Sequence, residues 1–133
     1  AYNWKIKFNE TGKIPAFYNV FSEQNHNEIE GFDSNQNTAK LSENFHPIFL
    51  IDENDHPQIK SRMTVLAKLL ESRGVDVTLF NITINEGHSV YSKIFETLLV
   101  ADYAALSLAM QYGSDPEQVP LIENFKKEIK KTV

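Results

Sequence analysis

The run His46-Pro47-Ile48-Phe49-Leu50-Ile51-Asp52 is short, apolar and β-branched, and it ends in polar residues. It reads as a buried strand. Asp55-His56-Pro57-Gln58 follows shortly after. Asp55 is placed to cap a helix, Gln58 stands three residues on as in a capping box, and Pro57 is tolerated in a first turn. Ile59, Met63, Leu66, Ala67 and Leu70 then recur on one helical face. Gly74 supplies a left-handed stop, and Val75 to Ile82 alternates and is rich in β-formers. Strand, helix and strand within residues 46–82 make a βαβ unit, from which a parallel sheet with a right-handed crossover is expected. The fold class is α/β.

Toward the C-terminus, Asn85-Glu86-Gly87-His88-Ser89 leads into a helical stretch that runs to about Tyr112. Val90, Ile94, Phe95, Leu98 and Leu99 form its predicted inner stripe, and Ala101 to Met110 is almost wholly apolar. A helix apolar nearly all round must be covered on more than one side. Asp115-Pro116 with Gln118 repeats the capping pattern. A last helix is predicted from there to Val133, with Ile122, Phe125 and Ile129 on one face and lysines 126, 127, 130 and 131 near its end. Lysines at a helix C-terminus suit the helix dipole without any further role.

Toward the N-terminus, Trp4, Ile6 and Phe8 alternate as in a strand, while Trp4 and Phe8 equally fit i, i+4 on a helix. Ala16-Phe17-Tyr18-Asn19-Val20-Phe21 reads as a strand. Residues 22–45 are polar, with seven Asn and Gln between Gln24 and Asn44, and a loop with one short helix is expected. The chain opens on Ala1-Tyr2-Asn3-Trp4 without an initiator Met, as a piece of a longer protein would.

The chain has 133 residues, one domain's worth, and 41% are hydrophobic. A compact domain of this mass would expose roughly 7,000 Å² and bury about two-thirds of the unfolded surface, so a core can form without staples. The absence of cysteine rules out a disulfide scaffold, a zinc finger and a thiol nucleophile. A net charge of −5 argues against general affinity for nucleic acid or an anionic membrane. No apolar run is read as long enough to span a bilayer, and no signal peptide opens the chain. These bounds describe a soluble, cytoplasmic, single globular domain over residues 1–133.

Several chemistries can be set aside. There is no GxGxxG, Walker loop, HExxH or GxSxG. His26-Asn27-Glu28 matches the H-x-E of zinc deaminases only without the cysteines they need. His46, His56 and His88 are spaced too irregularly for a metal site, and no cofactor is implied. Asp52 at a strand end resembles a receiver-domain phosphoacceptor, but the acidic pair and lysine of that site are not evident; the plainer reading is a polar residue closing a strand. The sharper constellation is Phe8-Asn9-Glu10 followed by Glu23-Gln24-Asn25-His26-Asn27-Glu28-Ile29-Glu30-Gly31. It could place a general base and an imidazole at one crevice, or be a solvated polar loop.

Phe8-Asn9-Glu10-Thr11-Gly12-Lys13 and Asn25-His26-Asn27-Glu28-Ile29-Glu30-Gly31 resemble the bifunctional phosphoglucose/phosphomannose isomerase family. Further matches are His56 to Arg62, Gly87-x-Ser89, Asp102-Tyr103 and Gly113-x-Asp115-Pro116 with Phe125-Lys126. The resemblance covers nearly the whole chain and fits the C-terminal sugar isomerase (SIS) domain. It implies an SIS-type three-layer sandwich, a parallel sheet flanked by helices. It further implies metal-independent interconversion of glucose 6-phosphate or mannose 6-phosphate with fructose 6-phosphate, a step of glycolysis and gluconeogenesis. Glu10 matches the base that moves a proton between C1 and C2 through a cis-enediol. His26 matches the imidazole that assists ring opening, supplied by the neighbouring subunit of a homodimer, and Lys126 matches a substrate-binding lysine. The family's Ser/Thr-rich phosphate loop belongs to an N-terminal SIS domain and has no counterpart here, so an incomplete site is expected. The rival expectation is a non-catalytic SIS module that binds a phosphosugar or only dimerises.

Overall fold

The computed structural model describes residues 1–33, 35–84, 87 and 89–132. The elements in chain order are α1 (Tyr2–Glu10), a 3-10 turn (Glu28–Phe32), α2 (Ala39–Ser42), β1 (Ile48–Asp52), α3 (Pro57–Glu71), β2 (Thr78–Ile82), α4 (Val90–Gln111) and α5 (Pro120–Thr132). The contacts group them into two compact units, one of Ala1 with residues 19–95 and one of residues 2–18 with 96–133.

In the first unit β1 and β2 pair in parallel, Ile48 opposite Thr78 through Asp52 opposite Ile82, which is the α/β pattern read from residues 46–82. Phe49 and Ile51, two apart on β1, turn to one face and are buried with Met63, Leu66, Ala67 and Leu70 of α3 and with Val75. Leu66 and Leu70 are each 2% exposed, and burying a side chain of that size contributes about 1.5–3 kcal/mol. Phe21 meets Phe49 edge-on at 5.3 Å. Thus the polar segment 22–45 is pinned at one end by an aromatic contact.

The cap of α3 is His56, not Asp55. Its Nδ1 accepts the Gln58 N–H at 3.2 Å, while the Asp55 carboxylate accepts the Asp52 N–H at 2.9 Å. Pro57 forces the residue before it into an extended conformation, which is the backbone a cap requires. Gly74 has φ of 79°, and the Val75 N–H reaches back to the Leu70 carbonyl, closing the helix as expected.

In the second unit α1 takes the helical alternative, with Trp4 and Phe8 buried and their rings 6.1 Å apart. Gly12 closes α1, and a Cβ there would lie 2.8 Å from the Phe8 carbonyl oxygen, so the turn admits only glycine without a shift. The predicted strand at 16–21 is absent. Asn9 accepts the Ala16 N–H at 2.9 Å and donates to its carbonyl at 3.2 Å, so a side chain takes the groups a ladder would have used.

The inner stripe of α4 also differs from expectation. Val90, Ile94, Phe95 and Leu99 are exposed, whereas Lys93, Ala101, Ala105 and Ala109 are buried. These recur at multiples of four residues and so share one face, three alanines and one lysine. Lys7 of α1 pairs with Asp102 of α4 at 2.6 Å. The expectation that no run reaches bilayer length is corrected too, because α4 is long and apolar enough to cross a membrane by length and composition. Of its three charged residues Lys93, Glu96 and Asp102, Lys93 pairs with Asp52 and Asp102 with Lys7 of this chain.

The last helix begins at Pro120, later than predicted. Asp115 accepts the Glu117 N–H in a tight turn instead of capping a helix, and Pro120 suits a first helical position. Among the described residues α5 buries none, and Ile122, Phe125 and Ile129 are exposed.

Candidate active site

In open α/β sheets ligands gather at the carboxyl ends of the strands, and here the end of β1 is densely bonded. Lys93 Nζ donates to Asp52 Oδ1 at 2.8 Å, with the two side chains 8% and 34% exposed. Asp52 Oδ1 also accepts the Asn54 N–H at 2.9 Å. Burial pushes the Asp52 carboxyl up, but the Lys93 hydrogen bond, the Asn54 N–H and the Lys93 charge together hold it below the usual carboxylate range. Glu53 Oε1 accepts the Ile84 N–H at 2.7 Å, and Lys60 donates to the Glu53 carbonyl at 2.9 Å. The carboxylates are thus committed to backbone and lysine, in keeping with a structural Asp52. Among the described residues no three His, Cys, Asp or Glu side chains are grouped to hold a metal ion.

His26 belongs to the first unit and is exposed in a turn that its neighbours fix. Its N–H donates to the Glu23 carbonyl at 3.0 Å, Asn27 donates to Glu23 Oε1 at 2.7 Å, and Asn19 donates to Glu28 Oε1 at 2.7 Å. With its amide oriented to satisfy both neighbours, Asn25 donates to the Ser22 carbonyl at 2.7 Å and accepts from Arg62 of α3 at 2.9 Å. The dense Asn/Gln content of this segment therefore serves to hold a loop without regular structure. A recess of about 230 Å³ beside it is lined by Asn25, Ile29, Arg62, Val65 and Leu69 among others.

Glu10 and Lys126 belong to the second unit. Glu10 is the last residue of α1 and is exposed, one position beyond Asn9 and two beyond buried Phe8. Anchoring through Trp4, Phe8 and Asn9 gives its backbone a defined position. Lys126 is exposed on α5 and pairs with Glu123 at 3.1 Å, a single-turn contact; the two predicted residues of this unit are not paired with each other. Asn85, Glu86 and His88 of the Gly87-x-Ser89 segment lie outside the described residues.

The sequence reading gives no role to Lys93, or to Lys13 within the Phe8–Lys13 stretch. The signal for Lys93 was a lone lysine in register with Ala101, Ala105 and Ala109, since a charge on a small-residue face needs a buried partner. Lys13 Nζ donates to the carbonyls of Glu10 and Gln118, and the second contact, 105 residues along the chain, has no local signal.

The family model for the bacterial phospho-glucose isomerase C-terminal SIS domain matches residues 1–129. Bifunctional phosphoglucose/phosphomannose isomerases of Aquifex aeolicus and Thermoplasma volcanium are 34% and 37% identical over 98% and 97% of this chain. That of Caldicellulosiruptor bescii is 36% identical over 97%. The chain spans 39%, 38% and 36% of the lengths of these relatives. No solved structure matches.

Proposed function

The chain belongs to the family of bacterial phospho-glucose isomerase C-terminal SIS domains, and from that premise we propose that it contributes the proton-transfer half of a phosphosugar isomerase site. The substrates are glucose 6-phosphate or mannose 6-phosphate on one side and fructose 6-phosphate on the other. What carries the reading is Glu10, a carboxylate held outward at the end of a helix anchored by Trp4, Phe8 and Asn9. A carboxylate so placed can accept the proton from C1 of the open-chain ketose, leaving a cis-enediolate, and return it to C2; with the hydroxyl proton passed from O1 to O2, the product is the aldose. Lys126 supplies positive charge for the oxygen that becomes negative in that step. His26 moves the ring-opening proton, a task that suits an imidazole because one ring nitrogen can donate while the other accepts. In the assembled protein the imidazole comes from the second subunit of a homodimer, and an N-terminal SIS domain completes the phosphate site. No metal is assigned a part in this proton transfer, and the setting is cytoplasmic carbohydrate metabolism.

The test is Glu10→Gln in the full-length protein, assayed with fructose 6-phosphate and a coupled readout of product. Removing the base is expected to lower kcat by about 10²-fold or more with little change in KM. Turnover near wild type would remove Glu10 from the role. The exposed apolar side chains of α4 and α5 favour a second reading, a module that only docks or senses a phosphosugar. Under that reading Glu10→Gln and His26→Ala leave phosphosugar binding and assembly unchanged, and no isomerase activity is found in the parent protein.

A further inference from the structure

We propose that Lys13 is a positioning residue that holds Glu10 by tying the end of α1 to the segment leading into α5; this rests on the reading of Glu10 as the base. The last carbonyls of α1 have no partner further along the helix. After the turn at Gly12, Lys13 adopts φ of 58°, a left-handed conformation uncommon for a residue with a side chain. From there its Nζ donates both to the Glu10 carbonyl and to the Gln118 carbonyl, 105 residues further along the chain. An ammonium at the negative end of a helix is electrostatically favoured, and each bond is charge-assisted. Lys7, the basic residue in the last turn of α1, is occupied by Asp102.

The position of the second anchor gives the contact its meaning. Gln118 is two residues before Pro120, where α5 begins, and α5 carries Lys126. Since α5 has no buried residue, a core does not set its register against α1. One ammonium therefore joins the peptide of the proposed base to the lead-in of the helix that bears the proposed substrate lysine. A base displaced by a fraction of an ångström loses rate steeply, and so does a Lys126 that acts on charge developing only in the transition state, while ground-state affinity changes little.

The experiment uses the full-length protein with Lys13→Met, Lys13→Arg and Glu10→Gln, measured with fructose 6-phosphate alongside thermal melting. Lys13→Met is expected to lower kcat roughly ten- to hundredfold with KM near its original value. Lys13→Arg, which keeps a cation of sufficient reach, restores most of kcat. An unchanged kcat per folded molecule in Lys13→Met overturns the proposal, even if the melting temperature falls, and so does an arginine variant as slow as the methionine one. Where Lys13→Met does not fold, Lys13→Gln is judged by the same criteria. If Glu10→Gln is fully active, the base assignment fails and this inference with it. If Glu10→Gln is inactive while Lys13→Met matches wild type, only the positioning role is lost.

Discussion

Glu10 sits at the negative end of α1, where a carboxylate weakens a helix by a few tenths of a kcal/mol to about 1 kcal/mol, so helix stability does not account for it. His26 is likewise exposed on a turn whose hydrogen bonds run through Glu23, Asn25 and Asn27 and spare the imidazole. Both residues are proposed from the order of polar side chains along the chain, which resembles that of the family. Lys13 was not legible, since its partner Gln118 is brought near only by folding. His26→Ala in the full-length protein is expected to slow turnover of the cyclic sugar phosphate by about 10²-fold and that of an open-chain analogue much less. Equal losses on the two substrates would take His26 out of that step.

At the scale of elements, the Asp52–Lys93 pair links the end of β1 to the first turns of α4. Burial raises the Asp52 carboxyl, but the Lys93 hydrogen bond, the Asn54 N–H and the Lys93 charge outweigh it, so the folded pKa lies below the ordinary value. The contribution is therefore complete above the unfolded carboxylate pKa of about 3.9 and is lost as pH falls through that value toward the folded one. Breaking a fully buried pair costs about 3–5 kcal/mol; the loss here is smaller because Asp52 is 34% exposed. The melting temperature of Asp52→Asn is expected to lie below wild type by a constant gap from about pH 7 to 5, a gap that narrows below about pH 4. A gap independent of pH would deny the pair its electrostatic role. The α4 stripe was misjudged for a related reason: hydrophobic periodicity ranks large apolar residues as inner, yet close packing selected alanines and one paired lysine.

At the scale of the whole molecule, exposed apolar residues such as Phe95, Leu99, Met110 and Phe125 leave surface that a soluble monomer seldom shows. Relatives of similar sequence are more than twice as long as this chain. In the proposed assembly a second subunit would supply the imidazole and an N-terminal domain the phosphate cradle. The 133-residue chain alone is thus expected to turn over fructose 6-phosphate at least about 10³-fold more slowly than the full-length protein. Comparable activity of the two in the coupled assay would show that the chain holds a complete site.

Local pattern suffices for the βαβ centre, because strand and helix periods in residues 46–82 are mutually consistent, while Glu10 and His26 are proposed from their order in the chain. Tertiary structure decided what local pattern leaves open. Asn9 satisfies the backbone at Ala16 where a strand was expected, alanines rather than large side chains face inward on α4, and lysines 13 and 93 find partners 105 and 41 residues away. The physical reason is that hydrogen-bond satisfaction and close packing are settled between segments, so the identity of a partner is written in no single stretch of the chain.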